Sequence, residues 1–223
     1  GDGAGIDFNS GSAIALSNGQ IFASGPDGEG CASISDDNGS LLFYTDGNTV
    51  YNKNHTVMSN GSGLNGHPSS TQSAIIVKKP ASASLYYIFT VDDNLSSNGS
   101  LCFSIVDMSL NGGLGAVINK NNLLYARTCE KLAAVRHANG TDAWVVTHKF
   151  GTNEYYAYLL TCNGVDSIPV ISSVGDTIGD LANPGWGIDA IGCLAISPNG
   201  KRIASTHQEK QAFQLGDFNT STG

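Results

Sequence analysis

Four segments of the sequence end in a threonine that is followed, directly or one residue later, by an aspartate or a histidine. These carboxylate and imidazole groups belong to Asp46, Asp92, His148 and His207. Both kinds of group can hydrogen-bond a ligand or coordinate a transition metal, so the pattern indicates a ligand site or a metal site, the metal being left open. The alternative interpretation is structural: residues at equivalent positions of a repeat usually stabilise the repeat, here by closing it with hydrogen bonds.

Further polar and aromatic residues lie in the segments that lead into three of the predicted strands, namely 66–72, 129–131 and 184–189. Loops held on a rigid scaffold are common positions for binding sites. Glu130 and Asp189 add carboxylates to this set. If these loops and the ends of the repeats together form a ligand site, we expect the contacting residues to be Asp46, His67, Gln72, Asp92, His148, His207 and Trp186.

Other chemistry has weaker support in the sequence. Two acidic stretches, 36–39 and 92–94, offer clustered oxygen ligands for Ca²⁺, but neither has the spacing of an EF-hand loop, and Asp and Asn also favour turns. No His-Glu-x-x-His segment and no phosphate-binding loop is present. The segment 60–63 is the nearest approach to a nucleophile elbow, and it lacks the flanking strand and helix.

The candidate residues recur because the sequence itself repeats. Segments 31–46, 132–148 and 193–207 each combine a strand of small residues, an Asn-Gly pair and a second apolar strand, and 73–92 is a degenerate fourth copy. Asn-Gly between apolar runs is a strong hairpin signal, with positive φ expected at both residues. We predict first strands at 31–36, 73–78, 132–137 and 193–197, each paired with the segment after its turn.

Each repeat has room for two more strands, such as 154–161 and 168–173. Four antiparallel strands at a period of about 40 to 60 residues are typical of a β-propeller blade. We therefore predict an all-β fold, with residues 1–223 forming a single β-propeller-like domain or fragment whose blades start near 31, 73, 132 and 193. A β-sandwich with hairpins of uneven length is the alternative. With about four blades visible, we expect the chain to be part of a larger propeller.

In this arrangement the second strands end on one rim, here called the near rim, where the first strands also begin. The near rim is thus predicted to bring Asp46, Asp92, His148 and His207 together from separate blades.

Composition excludes several classes of protein. The chain has 223 residues, a net charge of −8 and only 13% charged residues, so no basic surface for nucleic acid is expected. Its apolar runs are too short to insert into a membrane. Five cysteines occur without a Cys-x-x-Cys pair. Cys31 and Cys193 occupy equivalent positions in separate repeats, which predicts that they do not bond to each other.

Long segments of the chain resemble a known group of proteins. The segments 37–51, 64–77, 86–92, 104–115 and 129–140 together resemble the N-terminal propeller-like region of large secreted surface proteins of Bacteroidota. The resemblance implies an extracellular location, and those proteins often carry a C-terminal sorting domain for type IX secretion. The sequence also contains two Asp-Ser/Thr-apolar patterns, which Bacteroidota use for O-glycosylation of exported proteins. The resemblance therefore implies that Ser167 and Thr177 are glycosylation acceptors.

These observations predict a non-catalytic binding or structural module, adhesin-like, that presents its rim to a glycan or a protein. No cofactor is expected apart from a possible Ca²⁺. One alternative is a propeller-fold glycan hydrolase or lyase that uses the near-rim Asp and His residues. Another is a subunit of an extracellular filament, whose partners would be the rest of the same polypeptide or neighbouring chains.

Overall fold

The described part of the protein is built from β-strands. The structure, a computed structural model, describes residues 3–19, 28–93, 99–179 and 187–223. Within these ranges the helical content consists of two 3-10 turns, Asn111–Gly113 and Ile188–Ala190. The all-β prediction is therefore confirmed. None of the helices in the described residues is long and apolar enough to cross a membrane.

The N-terminal strands form a small hairpin and the first of four meanders, in which consecutive strands pair antiparallel. The hairpin joins β1 (Gly5–Asp7) to β2 (Ile14–Leu16). The first meander runs in chain order through β3 (Ala32–Ser35), β4 (Leu41–Thr45), β5 (Thr49–Asn52) and β6 (Val57–Ser62).

The second meander has longer strands and is joined to the first. Its members are β7 (Ala74–Lys78), β8 (Leu85–Val91), β9 (Ser100–Asp107) and β10 (Ala116–Ala126), again paired in chain order. β10 also pairs with β6 in parallel at Ala116 and Ser59. This contact links the two meanders into one eight-stranded sheet of mixed topology.

The third and fourth meanders complete the described chain. The third consists of β11 (Thr128–Arg136), β12 (Ala143–Lys149), β13 (Thr152–Thr161) and β15 (Val170–Ile178), with a short strand β14 (Gly164–Val165) also paired to β13. The fourth has three strands: β16 (Leu194–Ile196), β17 (Arg202–His207) and β18 (Ala212–Asp217).

The predicted first strands agree with β3, β7, β11 and β16, and each pairs with the following strand. The turn geometry was predicted incorrectly. Only the glycine of each Asn-Gly pair has positive φ, at Gly39, Gly140 and Gly200. In each case the glycine N–H donates to the backbone oxygen of the residue three positions earlier. This is the geometry of a hairpin loop that ends in a left-handed glycine.

The segment 129–131, predicted to be a loop, lies instead inside β11. A bulge-like register shift between Thr128 and Leu132 lets the strand start earlier than its repeat equivalents. This extension places Glu130 and Lys131 on the sheet rather than on a loop.

Apolar side chains hold successive meanders together face to face. Phe43 of the first meander packs with Ile88 of the second, Phe89 of the second packs with Val145 of the third, and Val146 of the third packs with Leu194 of the fourth. The first strands contact one another in the order β3, β7, β11, β16. All five cysteines are free thiols, and Cys31 and Cys193 are not bonded to each other.

Candidate functional site

The four repeated acidic and imidazole residues lie where the second strands end. Asp46 directly follows β4, Asp92 directly follows β8, His148 is the penultimate residue of β12, and His207 is the last residue of β17. Their place in each repeat agrees with the sequence pattern. Asp46, His148 and His207 are almost completely buried, however, so their side chains serve the interior of the protein.

Asp46 closes the turn between β4 and β5. Its Oδ1 accepts hydrogen bonds from the backbone N–H groups of Asn48 at 2.9 Å and Thr49 at 2.6 Å. The next residue, Gly47, has φ of +90° and lies against Ser73, so a side chain there would collide with the segment that leads into β7. The Asp46 carboxylate therefore fixes a turn that packs on the second meander.

The threonines that precede the histidines tie each second strand back to its first strand. The Thr147 hydroxyl donates to the backbone oxygen of Lys131 at 2.7 Å. The Thr206 hydroxyl accepts a hydrogen bond from the backbone N–H of Cys193 at 2.8 Å. These contacts support the structural interpretation of the repeated Thr residues in the third and fourth meanders.

The segment 66–73, here called the hub loop, connects the first two meanders. Its Pro68 oxygen accepts the N–H of Glu29, just before β3, at 2.8 Å. The backbone N–H of His67 donates to the backbone oxygen of Val91 in β8 at 3.3 Å. The backbone N–H of Val91 in turn donates to the backbone oxygen of Ser73 at 3.0 Å. Gly30 lies so close to Ser70 and Ser73 that no side chain fits at that position.

The hub loop also reaches the third and fourth meanders. Oε2 of Glu130 in β11 accepts both the backbone N–H of Thr71 at 2.9 Å and its hydroxyl at 3.0 Å. The same hydroxyl accepts the N–H of Gly192, which precedes β16, at 3.2 Å. One threonine thus joins the hub loop to two meanders at once.

Gln72 makes the second connection of this kind. Its Oε1 accepts the backbone N–H of Leu132 at 3.0 Å and that of Leu194 at 2.7 Å, while its Nε2 donates to the oxygen of Leu194 at 3.2 Å. The carboxamide therefore lies between the first strands β11 and β16. All its described hydrogen bonds are with backbone groups of these two strands, so Gln72 has a structural role in connecting β11 to β16.

A buried lysine lies beside this connection. Lys131 is fully buried in β11, and its Nζ donates to the backbone oxygens of Asp189 at 2.7 Å and Ile191 at 2.9 Å. Burial lowers the pKa of Lys131, although the acidic groups of Asp189 and Glu130 oppose that shift. Lys131 fastens the 3-10 turn Ile188–Ala190 to the third meander.

His148 is a strongly perturbed titratable group at the end of β12. Its Nδ1 lies 2.9 Å from the backbone oxygen of Lys149 and therefore carries the donated proton, and its ring meets Tyr155 edge-on at 4.5 Å. Nε2 is buried, and no group in the described part of the chain hydrogen-bonds to it. Burial lowers the pKa of His148 to about 4, so the ring is neutral at physiological pH.

Two further groups beside His148 are also poor candidates for proton transfer. The Sγ atom of Cys129 lies 3.8 Å from Nδ1 of His148, and burial raises the pKa of this thiol to about 12. Burial and the charge of Lys131 lower the pKa of His207. A thiolate–imidazolium pair is therefore disfavoured here.

His67 is a partly exposed member of the predicted ligand set. Its side chain is 43% exposed, and its Nδ1 lies 3.7 Å from Oδ2 of Asp93. Asp92 is half-buried, and its carboxylate accepts the backbone N–H of Asp93 at 2.9 Å. Trp186 lies outside the described residues. Among its described members, the predicted ligand set thus includes buried side chains that hydrogen-bond the protein itself and, at His67, a partly exposed polar side chain.

The candidate cation sites use their carboxylates locally. Oδ1 of Asp36 accepts the N–H groups of Asn38 and Ser40, each at 2.9 Å, as in an ordinary Asx turn. In the second stretch, Asn94 falls outside the described residues. Across residues 3–19, 28–93, 99–179 and 187–223, no three His, Cys, Asp or Glu side chains are placed to share a metal ion.

Both predicted glycosylation acceptors are accessible. Ser167 lies in the exposed turn between β14 and β15, where Oδ1 of Asp166 accepts the N–H of Ile168 at 3.0 Å. Thr177 is exposed near the end of β15. Their hydroxyls are therefore placed where a modifying enzyme could reach them.

Comparisons with protein-family models, with curated proteins and with solved structures find no match. The role of the predicted site residues is therefore argued from their geometry.

Sequence reasoning missed two residues that the geometry makes central, Thr71 and Lys131. Thr71 stands beside Gln72, so the same loop already held a signal. A lysine directly before the apolar residues 132–135 is the signal for Lys131, because a lysine in a buried strand requires acceptors for its ammonium group.

Proposed function

We propose that the chain is a non-catalytic, propeller-type binding module of a secreted or cell-surface protein. The four meanders are interpreted as blades, because each pairs its strands in chain order and because the first strands contact one another in the same order. Repeated four-stranded units of this kind are the basis of β-propellers. The parallel contact between β6 and β10 is a departure from independent blades.

The observation that carries the proposal is the set of hydrogen bonds around the hub loop, which joins all four meanders. Glu130 and Gln72 use their side chains to hold this loop, and Asp46 uses its carboxylate to close a turn. Groups engaged in this way favour a rigid platform over acid–base chemistry. A glycosidase would instead require two carboxyl groups about 5 to 9.5 Å apart that face the substrate.

The partner is proposed to be a glycan or a protein that contacts the near rim around His67 and Asp93. An imidazole next to a carboxylate can donate to and accept from sugar hydroxyls or backbone amides. The hydrogen bonds of the hub loop hold it in one conformation, which lowers the entropic cost of binding. The accessible Ser167 and Thr177 are consistent with an exported, glycosylated protein.

The test compares His67→Ala and Asp93→Asn with the wild-type protein on a printed glycan array and on immobilised extracellular-matrix proteins. Loss of one hydrogen-bonded contact costs about 1 to 3 kcal/mol, so affinity for a bound probe is expected to fall roughly tenfold. Lys201→Ala, an exposed change next to the Gly200 turn, is the matched control. Unchanged binding by both rim variants, at unchanged melting temperature, would refute the site.

A further inference from the structure

The fourth meander packs on the third meander through one apolar face. Leu194 and Ile203 of the fourth meander belong to the same buried cluster as Val146 of the third. On β18, by contrast, Phe213 is 72% exposed and Leu215 is 63% exposed. The contact with the third meander therefore has a large share in keeping the fourth meander docked.

Two imidazoles are buried in this contact. Because side chains alternate along a strand, His148 lies on the same face of β12 as Val146, and His207 lies on the same face of β17 as Ile203. Both histidines are almost completely buried. Nε2 of His148 and both ring nitrogens of His207 have no hydrogen-bond partner in the described part of the chain. An added proton would thus find no acceptor among these groups.

The side chains around His148 do not compensate a positive charge. Sγ of Cys129 in β11 lies 3.8 Å from Nδ1, and Tyr155 in β13 meets the ring edge-on at 4.5 Å. Burial raises the pKa of the thiol and of the phenol, so both are uncharged at physiological pH. Lys131 of β11 and His207 of β17 also act on His148, and both oppose a positive charge there.

His207 faces two cations and two carboxylates. Burial lowers the pKa of His207, as do the charges of Lys131 and Lys210, whereas Asp189 of the 3-10 turn and Asp176 of β15 raise it. Nζ of Lys210 lies 3.4 Å from Oδ2 of Asp176 and 3.8 Å from Oδ2 of Asp189. Lys210 thus offsets both carboxylates, so a protonated His207 would add to the positive charge of Lys131.

We propose that the contact between the third and fourth meanders is acid-sensitive: when His148 and His207 take up protons, the fourth meander separates as a unit while the first three meanders stay folded. With Lys131, two imidazolium ions would place three positive charges in a contact that otherwise buries apolar side chains. Separation would uncover Trp144 and Val146 of the third meander. The proposal concerns this contact and does not depend on ligand binding at the near rim.

The size of the effect follows from the two states of His148. Burial lowers its pKa to about 4 in the docked state, although the backbone oxygen of Lys149 opposes the shift, whereas an exposed imidazole titrates near pH 6.5. Protons therefore favour the separated state as the pH falls through this window. Between pH 7.5 and pH 4 the equilibrium constant for separation should rise roughly a hundredfold from His148 alone. His207, whose pKa is also lowered, acts in the same direction.

Native-state hydrogen exchange of the full chain is the primary test. Protection of the β16–β18 amides, corrected for the intrinsic exchange rate at each pH, should fall roughly a hundredfold or more from pH 7.5 to pH 4. The β8 and β9 amides should remain better protected at every pH, because separation of the fourth meander does not open the second. Equal protection of the two groups of amides would show that the chain opens as one unit and would overturn the proposal.

The trigger is tested by combining His148→Asn with His207→Leu. Neither new side chain titrates, so the fall in protection of β16–β18 between pH 7.5 and pH 4 should shrink to less than about tenfold. Gln208→Ala, an exposed change beside His207 that alters no charge, should keep the wild-type fall. If the double variant does not fold, His207→Leu alone replaces it and should keep only part of that fall. A wild-type fall in a folded histidine variant would overturn the role of the imidazoles.

Trp144 reports the separation directly. Its Nε1 donates to the backbone oxygen of Thr220 at 2.8 Å, Gly223 lies against its ring, and the residue is buried. The chain has two tryptophans, so Trp186→Phe leaves Trp144 as the single indole probe. Between pH 6.5 and pH 4 its emission should shift to longer wavelength, while far-UV circular dichroism retains most of its signal. An unshifted emission at pH 4, or complete loss of the far-UV signal together with the shift, would overturn the proposal.

Discussion

Gln72 and Leu194 exchange hydrogen bonds in both directions although 122 positions separate them in the sequence. The side-chain amide of Gln72 meets the backbone of Leu194 as a neighbouring strand would. Oε1 of Gln72, which accepts the N–H of Leu194, also accepts the N–H of Leu132 at 3.0 Å. A single side chain of the hub loop thus fixes the separation of the first strands of the third and fourth meanders.

Gln72→Ala is expected to destabilise the fold by about 3 kcal/mol. It removes the acceptor of two buried N–H groups, and each buried donor left without an acceptor costs about 1 to 3 kcal/mol. Urea unfolding measures the change. Gln208→Ala, at an exposed turn position, is the control and should change stability by less than about 0.5 kcal/mol. Equal stability of the two variants would contradict the role assigned to Gln72.

Thr71 and Glu130 are expected to be energetically coupled. A double-mutant cycle of Thr71→Val and Glu130→Ala should give a coupling free energy of about 1.5 to 3 kcal/mol, because the hydroxyl donates to a buried carboxylate. The partly exposed ion pair of Lys149 and Glu154, at 3.0 Å, provides the comparison and should couple by less than about 1 kcal/mol. Additive effects at Thr71 and Glu130 would show that their contact contributes little.

The repeat pattern located the strands because small apolar runs around an Asn-Gly pair have few alternative structures. It could not show how the side chains at the strand ends are oriented. His148 and Asp46 have the residue types of a ligand site, yet whether such groups face solvent or the interior depends on partners from other repeats. The partners of Gln72 lie 60 and 122 residues away, and no local rule connects them.

The N-terminal hairpin illustrates a different limit. β1 and β2 expose Ile6 and Ile14, so their apolar residues do not follow the alternation of a half-buried strand. The sequence therefore did not predict this hairpin. The Asn-Gly turns were located correctly, but their backbone conformation was not, because the loop residues before the glycine adopt an ordinary turn.

Thiol reactivity should divide the cysteines into two groups. Cys31, Cys162 and Cys193 are exposed and should react with iodoacetamide in the native protein, whereas Cys102 and Cys129 are buried and have raised pKa values. Peptide mapping by mass spectrometry before and after unfolding in urea tests this. Rapid native alkylation of Cys129 would show that the third meander opens at that position.

The protein is expected to lose stability as the pH falls from about 6.5 to about 4. His148 is neutral in the folded protein down to a pKa of about 4, whereas in the unfolded chain it takes up a proton near pH 6.5. Protonation therefore favours the unfolded state within this window, and the loss reaches roughly 3 kcal/mol at its lower end. His207, whose pKa is also lowered by burial and by Lys131, adds to the loss with the same sign.

His148→Asn separates this effect from general acid denaturation. The asparagine amide can donate to the Lys149 oxygen as Nδ1 does, but it does not titrate, so the variant should be less stable at neutral pH and should show a weaker pH dependence between 6.5 and 4. Gln208→Ala removes no titratable group from an exposed turn position and should keep the full wild-type dependence. Chemical unfolding at a series of pH values gives the slopes. If His148→Asn retains the wild-type slope, the buried imidazole is not the group that makes the fold sensitive to acid.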